Sequence, residues 1–307
     1  MDDKVVEKLE KLVKEGKISP KEKEELERAM GFKENETKLK LGLPKEIECH
    51  FFESIDLELS GDDAINEVII DKGKDFLKLD LEGETLKINF PRSFRERIFH
   101  KFPHESLLAK IRVPHNFPSV KIKLVSGDLD IKNLSSKFRI SVVSGDVSAS
   151  SIKGDLMIDA MSGDISLRDF KGEADISTKS GDLEIRDSTF KGSLKTYSGD
   201  ISIENSELSE IKTTTFNGNI EIEKTTFKGN GDINTYFGDV SLNINLTDVF
   251  IKAETLLGDI VGGDRYKEIS QTKEYAYEVC VKTKNGDILM TDIAEGGENG
   301  RWDQKGI

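Results

Sequence analysis

A glycine-centred tripeptide returns along this chain at a nearly constant interval. Ser-Gly-Asp stands, evenly spaced, at Gly127, Gly145, Gly163, Gly181 and Gly199. Asn-Gly-Asn follows at Gly218 and Gly-Asp at Gly238, Gly258 and Gly286, at slightly wider spacing until the last interval, which is distinctly longer. A unit this short cannot bury an apolar face by itself, so the fixed period implies stacked units that share one core.

Positions counted from each glycine define the unit. Two after it stand Leu129, Val147, Ile165, Leu183, Ile201, Ile220, Val240, Ile260 and Ile288, and four after it usually another apolar residue, as in Ile131, Leu167 and Ile185. Five before come Ile122, Ile140, Ile158, Ile176 and Leu194; three before come Leu124, Val142 and Ala160, then Thr178, Thr196, Thr215, Thr235, Thr255 and Thr283. Such alternation marks half-buried strands. Each repeat thus holds two short strands facing one interior, with the glycine turn between them. So short an interval leaves no room for a helical crossover, and repeated hairpins would need two equally tight turns. The chain is therefore predicted to be all-β and to wind into a parallel β-solenoid, a single-stranded β-helix with coils of about 18–20 residues, each strand lying parallel on its counterpart in the next. The second corner of each coil is expected at Lys153-Gly154, Lys171-Gly172, Lys191-Gly192 and Lys228-Gly229, with Phe170, Phe190, Leu208 and Phe227 plugging the interior nearby.

The turn aspartates Asp128, Asp146, Asp164, Asp182 and Asp200 form a column of like charges roughly 5 Å apart, which requires compensation. The expected compensation is local: each carboxylate accepts backbone N–H groups of its own turn, while the glycines supply positive φ. A calcium ladder is disfavoured, because each ion takes about 6–8 oxygens and a coil offers one carboxylate and one hydroxyl. No metal or cofactor is expected. His50, His100, His104 and His115 all precede the regular coils, no serine or cysteine triad follows from the spacing, and no phosphate-cradling glycine loop opens a helix. Carboxylate pairs occur on any acidic solenoid and do not by themselves indicate glycoside cleavage. Carbohydrate processing would call for outward aromatic platforms, and the coils are poor in them, with Tyr197, Tyr236 and Phe237 the main exceptions. The chain is read as a non-enzyme.

Charge narrows the partners. The net charge is −13, and residues 121 to 260 hold 23 acidic against 16 basic side chains. No basic stripe is available to neutralise phosphates, so nucleic acid is not an expected partner. Charged residues make up 34% of the chain, above the roughly 25% usual in soluble domains, and the excess of Lys and Glu fits a thermophilic origin. Cys49 and Cys280 lie far apart in sequence and are read as free thiols. The N-terminus is charged from Asp2 onward and no apolar run approaches the length of a membrane span, so neither signal peptide nor transmembrane segment is expected and the default compartment is the cytoplasm.

Three regions follow. Residues 1–32 read as a helical hairpin: Val5, Leu9, Leu12 and Val13 at helical spacing, Gly16 as a stop, and Ser19-Pro20-Lys21-Glu22 as the capping box of a second helix running to Met30. The hairpin is too small for a core of its own and is expected to cap the β-domain, to dock a partner or to form homo-oligomers. Residues 33–120 read as irregular coils forming the N-terminal cap, with strands near Ile55–Leu59, Glu67–Ile70, Phe76–Leu81 and Leu86–Phe90 and with Ser60-Gly61-Asp62 as a degenerate copy of the turn. Residues 121–307 carry the regular coils and a C-terminal cap. Between Pro91 and Ser106, the residues Arg92, Phe94, Arg95, Arg97, Phe99, Lys101 and Phe102 make a basic, aromatic segment on an acidic protein, the binding surface this sequence nominates.

The Ser-Gly-Asp coils, the Ile111-Arg112-Val113-Pro114 segment before them and the Gly83-to-Ile88 strand resemble the bacterial putative-adhesin β-repeat domains of unknown function. The Leu9-to-Met30 hairpin, with its Glu15-Gly16-Lys17-Ile18-Ser19 turn, is similar to the SHOCT-like module that precedes such a domain in some cell-envelope stress-response proteins. The resemblance implies surface association and a binding role, with a protein, a cell-envelope component or a cationic peptide as partner, and it brings no active site. Read from the residues, the acidic solenoid face offers itself to such a partner; the alternative is a self-assembling cytoplasmic scaffold.

Overall fold

The computed structural model describes residues 3–23, 39–41, 43–73, 77–90, 107–245, 249–262 and 276–293. It divides into two units, 1–162 and 163–307.

In the N-terminal unit, helix α1 (Asp3–Lys14) ends where Gly16 takes a φ of 66° and Lys17 N–H returns to the Leu12 carbonyl. The capping box forms as the sequence predicts: Glu22 N–H donates to the Ser19 hydroxyl at 3.1 Å and Ser19 N–H to the Glu22 carboxylate at 2.7 Å. The predicted second helix beyond Lys23 lies outside the described residues. Among the described residues the strands that follow are β1 (Leu39–Leu41), β2 (Glu46–Asp62), β3 (Val68–Lys72), β4 (Lys78–Glu82), β5 (Thr85–Asn89), β6 (Leu107–Pro114), β7 (Ser119–Ser126), β8 (Leu129–Ser144) and β9 (Val147–Ser162).

The coils stack in parallel, β7 on β8 and β8 on β9, with Ile122, Ile140 and Ile158 superposed inside. Their order in space departs from their order in sequence. The first half of β2 lies between β5 and β7, and its second half between β6 and β8. The coil built from β5 and β6 is therefore outermost, although β2 comes first in the chain. Antiparallel β4 covers β5, antiparallel β3 covers β6, and β1 lies on β3, so a change of strand direction ends the parallel stack and occupies its edge. Arg112 fastens this closure, donating from Nε to Asp71 and at 2.7 Å from Nη1 to Asp62. The degenerate copy of the turn is Ser54-Ile55-Asp56: Ser54 pairs with Ser126, and the Asp56 carboxylate accepts the Asp128 N–H at 2.9 Å. Ser60-Gly61-Asp62 instead pairs with Arg112 to Pro114, on the far side of the coil.

The C-terminal unit comprises β10 (Ile165–Ser180), β11 (Leu183–Arg186), β12 (Thr189–Ser198), β13 (Ile201–Glu204), β14 (Glu207–Asn217), β15 (Ile220–Phe227), β16 (Gly231–Phe237), β17 (Val240–Ile244), β18 (Val249–Leu257), β19 (Ile260–Val261), β20 (Tyr277–Asn285) and β21 (Ile288–Asp292). One ladder of parallel strands runs β10, β12, β14, β16, β20, β18. The other runs β10, β11, β13, β15, β17, β21, β19. Here too the last coil in sequence, β20–β21, is next to last in space, and β18–β19 lies outside it.

Corner chemistry differs from the expectation in two ways. The turn carboxylates reach across coils instead of closing on their own turn. Asp128 Oδ1 accepts the Asp146 N–H at 2.9 Å in the N-terminal unit. In the C-terminal unit the chain of acceptors and donors runs Asp164, Asp182, Asp200, Asn219, Asp239, Asp287 and Asp259, at 2.7 to 2.9 Å per rung. Each rung therefore meets an N–H dipole of its neighbour, the compensation that a column of like charge requires. The second corner is not a single glycine either. Six positions after the turn glycine stand Asn133, Ser151, Asp169, Asp187, Asn205 and Lys224, all at φ of 49° to 53°, and Gly154, Gly172 and Gly192 make a further bend. Turn glycines are obligatory for space as well as for φ: a Cβ on Gly199 would lie 2.2 Å from the Gly181 carbonyl oxygen.

Candidate functional site

The inward threonines three positions before the turn glycine fix the floor of the C-terminal unit's first ladder. Thr196, Thr215, Thr235, Thr283 and Thr255 donate to the carbonyls of Gly181, Gly199, Gly218, Gly238 and Gly286, each on the adjacent coil, at 2.9 to 3.2 Å. The residues on either side of each threonine point outward, and because neighbouring strands are in register they line up across the coils. One row reads Lys195, Thr214, Asn234, Lys282, Glu254. The next, two positions further along each strand, reads Tyr197, Phe216, Tyr236, Lys284, Leu256.

Tyr197 and Phe216 stack at 4.8 Å with planes 4° apart, and Phe216 and Tyr236 stack at 5.1 Å. Phe237 meets Phe216 edge-on at 5.5 Å. The Lys284 ammonium lies 4.6 Å from the Tyr236 ring centroid, a cation–π contact that closes the ladder. Level with Tyr197 on the other side is Lys179 of β10. A groove of about 560 Å³ runs beside this ladder, bordered by Lys195, Lys212, Tyr236, Lys282 and Lys284 and by one carboxylate, Glu254. Tyr197 remains 58% exposed and Leu256 74%.

The lysines are not equivalent. Lys212 lies 3.5 Å from Asp232, and Lys282 lies 3.1 Å from Glu254, a hydrogen bond that raises the Lys282 pKa. Lys179, Lys195 and Lys284 have no carboxylate partner among the described residues. Cys280 faces outward between Asp232 and Lys252, and partial burial together with Glu278 raises its pKa, which keeps it a thiol. Cys49, buried in β2, is pushed up to about 12 by desolvation. Neither cysteine has the depressed pKa of a nucleophile. Both are free, and no group of three or more metal-ligating side chains occurs among the described residues.

The second ladder of the same unit carries a row in which basic side chains give way to acidic ones. Arg168, Arg186, Glu204 and Glu223 align across β10, β11, β13 and β15. Arg168 pairs with Asp187 at 3.3 Å and Lys224 with Glu204 at 2.9 Å, which lowers the Glu204 pKa. Beside them Glu221 is raised, by partial desolvation and by Glu223.

The nominated segment, Arg92, Phe94, Arg95, Arg97, Phe99, Lys101 and Phe102, lies outside the described residues. Tyr197, Tyr236 and Phe237, the outward aromatics noted in the sequence, come together through Phe216, which the alternation pattern alone does not single out. A signal was present: Tyr197, Phe216 and Tyr236 all stand two positions before a turn glycine.

No helix among the described residues is long and apolar enough to cross a membrane. No curated protein matches the chain. Similar solved structures include a putative adhesin from Bacteroides fragilis, 13% identical over 85% of this chain and 99% of that one, with a TM-score of 0.42. A putative lipid binding protein from Parabacteroides distasonis is 17% identical over 85% of this chain and 98% of that one, with a TM-score of 0.39. A putative adhesin from Parabacteroides merdae is 11% identical over 84% and 97%, with a TM-score of 0.31. The Toastrack DUF4097 family matches residues 44–291, which take in both ladders, the threonine floor and the groove, and the chain belongs to that family.

Proposed function

We propose that this protein is a non-enzymatic binding module and that its ligand is an anion held in the groove beside the Tyr197–Phe216–Tyr236 ladder. The observation that carries this reading is the concentration of unpaired lysines, Lys179, Lys195 and Lys284, around exposed aromatic rings on a chain of net charge −13. On an acidic surface a lysine without a carboxylate neighbour is set apart from self-neutralising pairs such as Arg168–Asp187 and Lys224–Glu204, and a concave site with a few convergent charges is where a ligand gains most. A component of the cell envelope is the partner class that accords with the adhesin-like family resemblance, and the N-terminal region, whose sequence resembles a SHOCT-like module, would then couple the β-domain to another protein.

An aromatic sulfonate, 8-anilinonaphthalene-1-sulfonate, probes the groove directly. Its fluorescence is expected to rise on binding the full chain, to fall with added salt, and to drop in a Lys195→Glu, Lys284→Glu double variant whose melting temperature is unchanged. Equal enhancement by the variant and the parent protein overturns the assignment.

A second reading rests on the other ladder. Glu204, Glu221 and Glu223 lie together there; desolvation and then repulsion from Glu223 raise Glu221, and a cationic peptide would relieve the repulsion. A salt-sensitive isotherm with a lysine-rich peptide, weakened by Glu221→Gln, supports it; a salt-independent isotherm removes it.

A further inference from the structure

Resting on that reading of the groove, we infer that its ligand is an acidic glycan, a uronate-bearing chain laid along the stack of coils and across the strands. Length favours it first. Lys195 on β12 and Lys284 on β20 are three strand spacings apart, about 14 Å at ~4.8 Å per strand. A single small anion cannot span them, whereas an extended chain carrying repeated oxyanions can. Each sugar of a β-linked pyranose chain advances by close to one strand spacing, so successive sugars would meet successive coils.

Ring orientation favours it next. Sugar rings usually stack on aromatic faces, but here the faces of two of the three rings are taken: Phe216 lies between two tyrosines, and Tyr236 between Phe216 and the Lys284 ammonium. The ladder therefore turns ring edges outward. Edges carry the positive end of the ring quadrupole, so they and the lysines favour the same ligand, an oxyanion, while a neutral glycan is left with the outer face of Tyr197. Hydroxyl groups add a third feature. Thr214 and Tyr236 border the groove and Tyr197 ends the ring stack beside it; their hydroxyls can donate to and accept from the hydroxyls of a sugar, which an acidic peptide or an acyl chain would leave unused.

The test uses the full-length protein and a fluorescent hexamer of β-linked mannuronate, followed by anisotropy and by displacement of the sulfonate dye. Binding is expected, weakened about tenfold or more by Lys195→Glu with Lys284→Glu, as for loss of charge-assisted hydrogen bonds. It should weaken severalfold in Tyr197→Phe with Tyr236→Phe, and be absent for the methyl-esterified hexamer, whose shape is kept and charge removed. Equal binding of the ester, or of a glutamate hexamer, overturns the inference, since either would show that uronate is not what is recognised. A dye that binds and responds to the lysine variants while the hexamer fails to displace it sinks the glycan and leaves the groove standing. A dye that never bound sinks both.

Discussion

At the scale of single residues, two threonines on one strand show how the same side chain does opposite things. Thr215 is buried and donates to the Gly199 carbonyl at 3.0 Å, satisfying a turn oxygen that faces the interior. Thr213, two positions earlier and equally buried, has a hydroxyl with no partner. Replacing Thr215 with valine is expected to destabilise the fold by about 1–2 kcal/mol, because the carbonyl loses its donor. Replacing Thr213 with valine is expected to stabilise it by about 1 kcal/mol, because a desolvated hydroxyl is exchanged for a methyl of the same shape. Chemical denaturation of the two variants settles the pair: an undiminished stability in Thr215→Val would show that its hydroxyl contributes nothing, and a loss in Thr213→Val would contradict the account of the second hydroxyl.

At the scale of elements, the closure of the C-terminal unit makes β18 depend on β20 and not the reverse. Val281 in β20 is held between Ile233 of β16 and Ala253 of β18. Val281→Ala is therefore expected to speed amide exchange in both β20 and β18, since β18 pairs with no other strand among the described residues. Ile251→Ala, in β18, is expected to loosen β18 alone, because β16 still protects β20. Exchange at Val249–Leu257 that is unaffected by Val281→Ala would contradict this order. The sequence did not disclose it, for a physical reason. Strand, turn and parallel stacking were legible because alternation at a fixed interval has one solution. But Ile251, Ala253 and Thr255 present the same inward pattern as Val279, Val281 and Thr283, so either segment fits the surface of β16. The long interval from Gly258 to Gly286 shows that something is inserted without showing which coil moves outward. The same limit hid β2, whose partners lie on both sides of it, and it hid the groove. Aromatics on separate strands look solitary until register brings them to 4.8 Å.

At the scale of the whole molecule, ion pairs set how stability answers to pH. Lys87, Lys132, Lys224 and Lys282 all have raised pKa values, chiefly from hydrogen bonds to Glu82, Asp130, Glu204 and Glu254. A base raised in the folded state lends stability that is complete below its ordinary value of 10.5 and is lost as pH climbs through the folded value. Melting temperature should thus hold level through neutral and mildly alkaline pH and fall only above about 10. Glu221 works in the opposite sense. Its raised carboxyl pKa makes the ionised form unfavourable, so Glu221→Gln should raise the melting temperature at neutral pH, with the gain disappearing as pH drops toward 4.5. A gain that persists in acid would exclude this origin.

Because turn aspartates and the turn asparagine reach the amide of the neighbouring coil by one repeated contact, an interior coil is a part with matching upper and lower fittings. The chain's two terminal regions are the reverse: in each, a terminal segment is clamped beneath a coil that sequence places further in. Duplication of one Ser-Gly-Asp repeat within either unit would lengthen that unit's stack and disturb neither clamp. Copying or deleting a segment at a terminus would remove the closure itself. Inheritance can therefore add or subtract whole storeys from the middle of either stack, while its foundation or roof stays as it is.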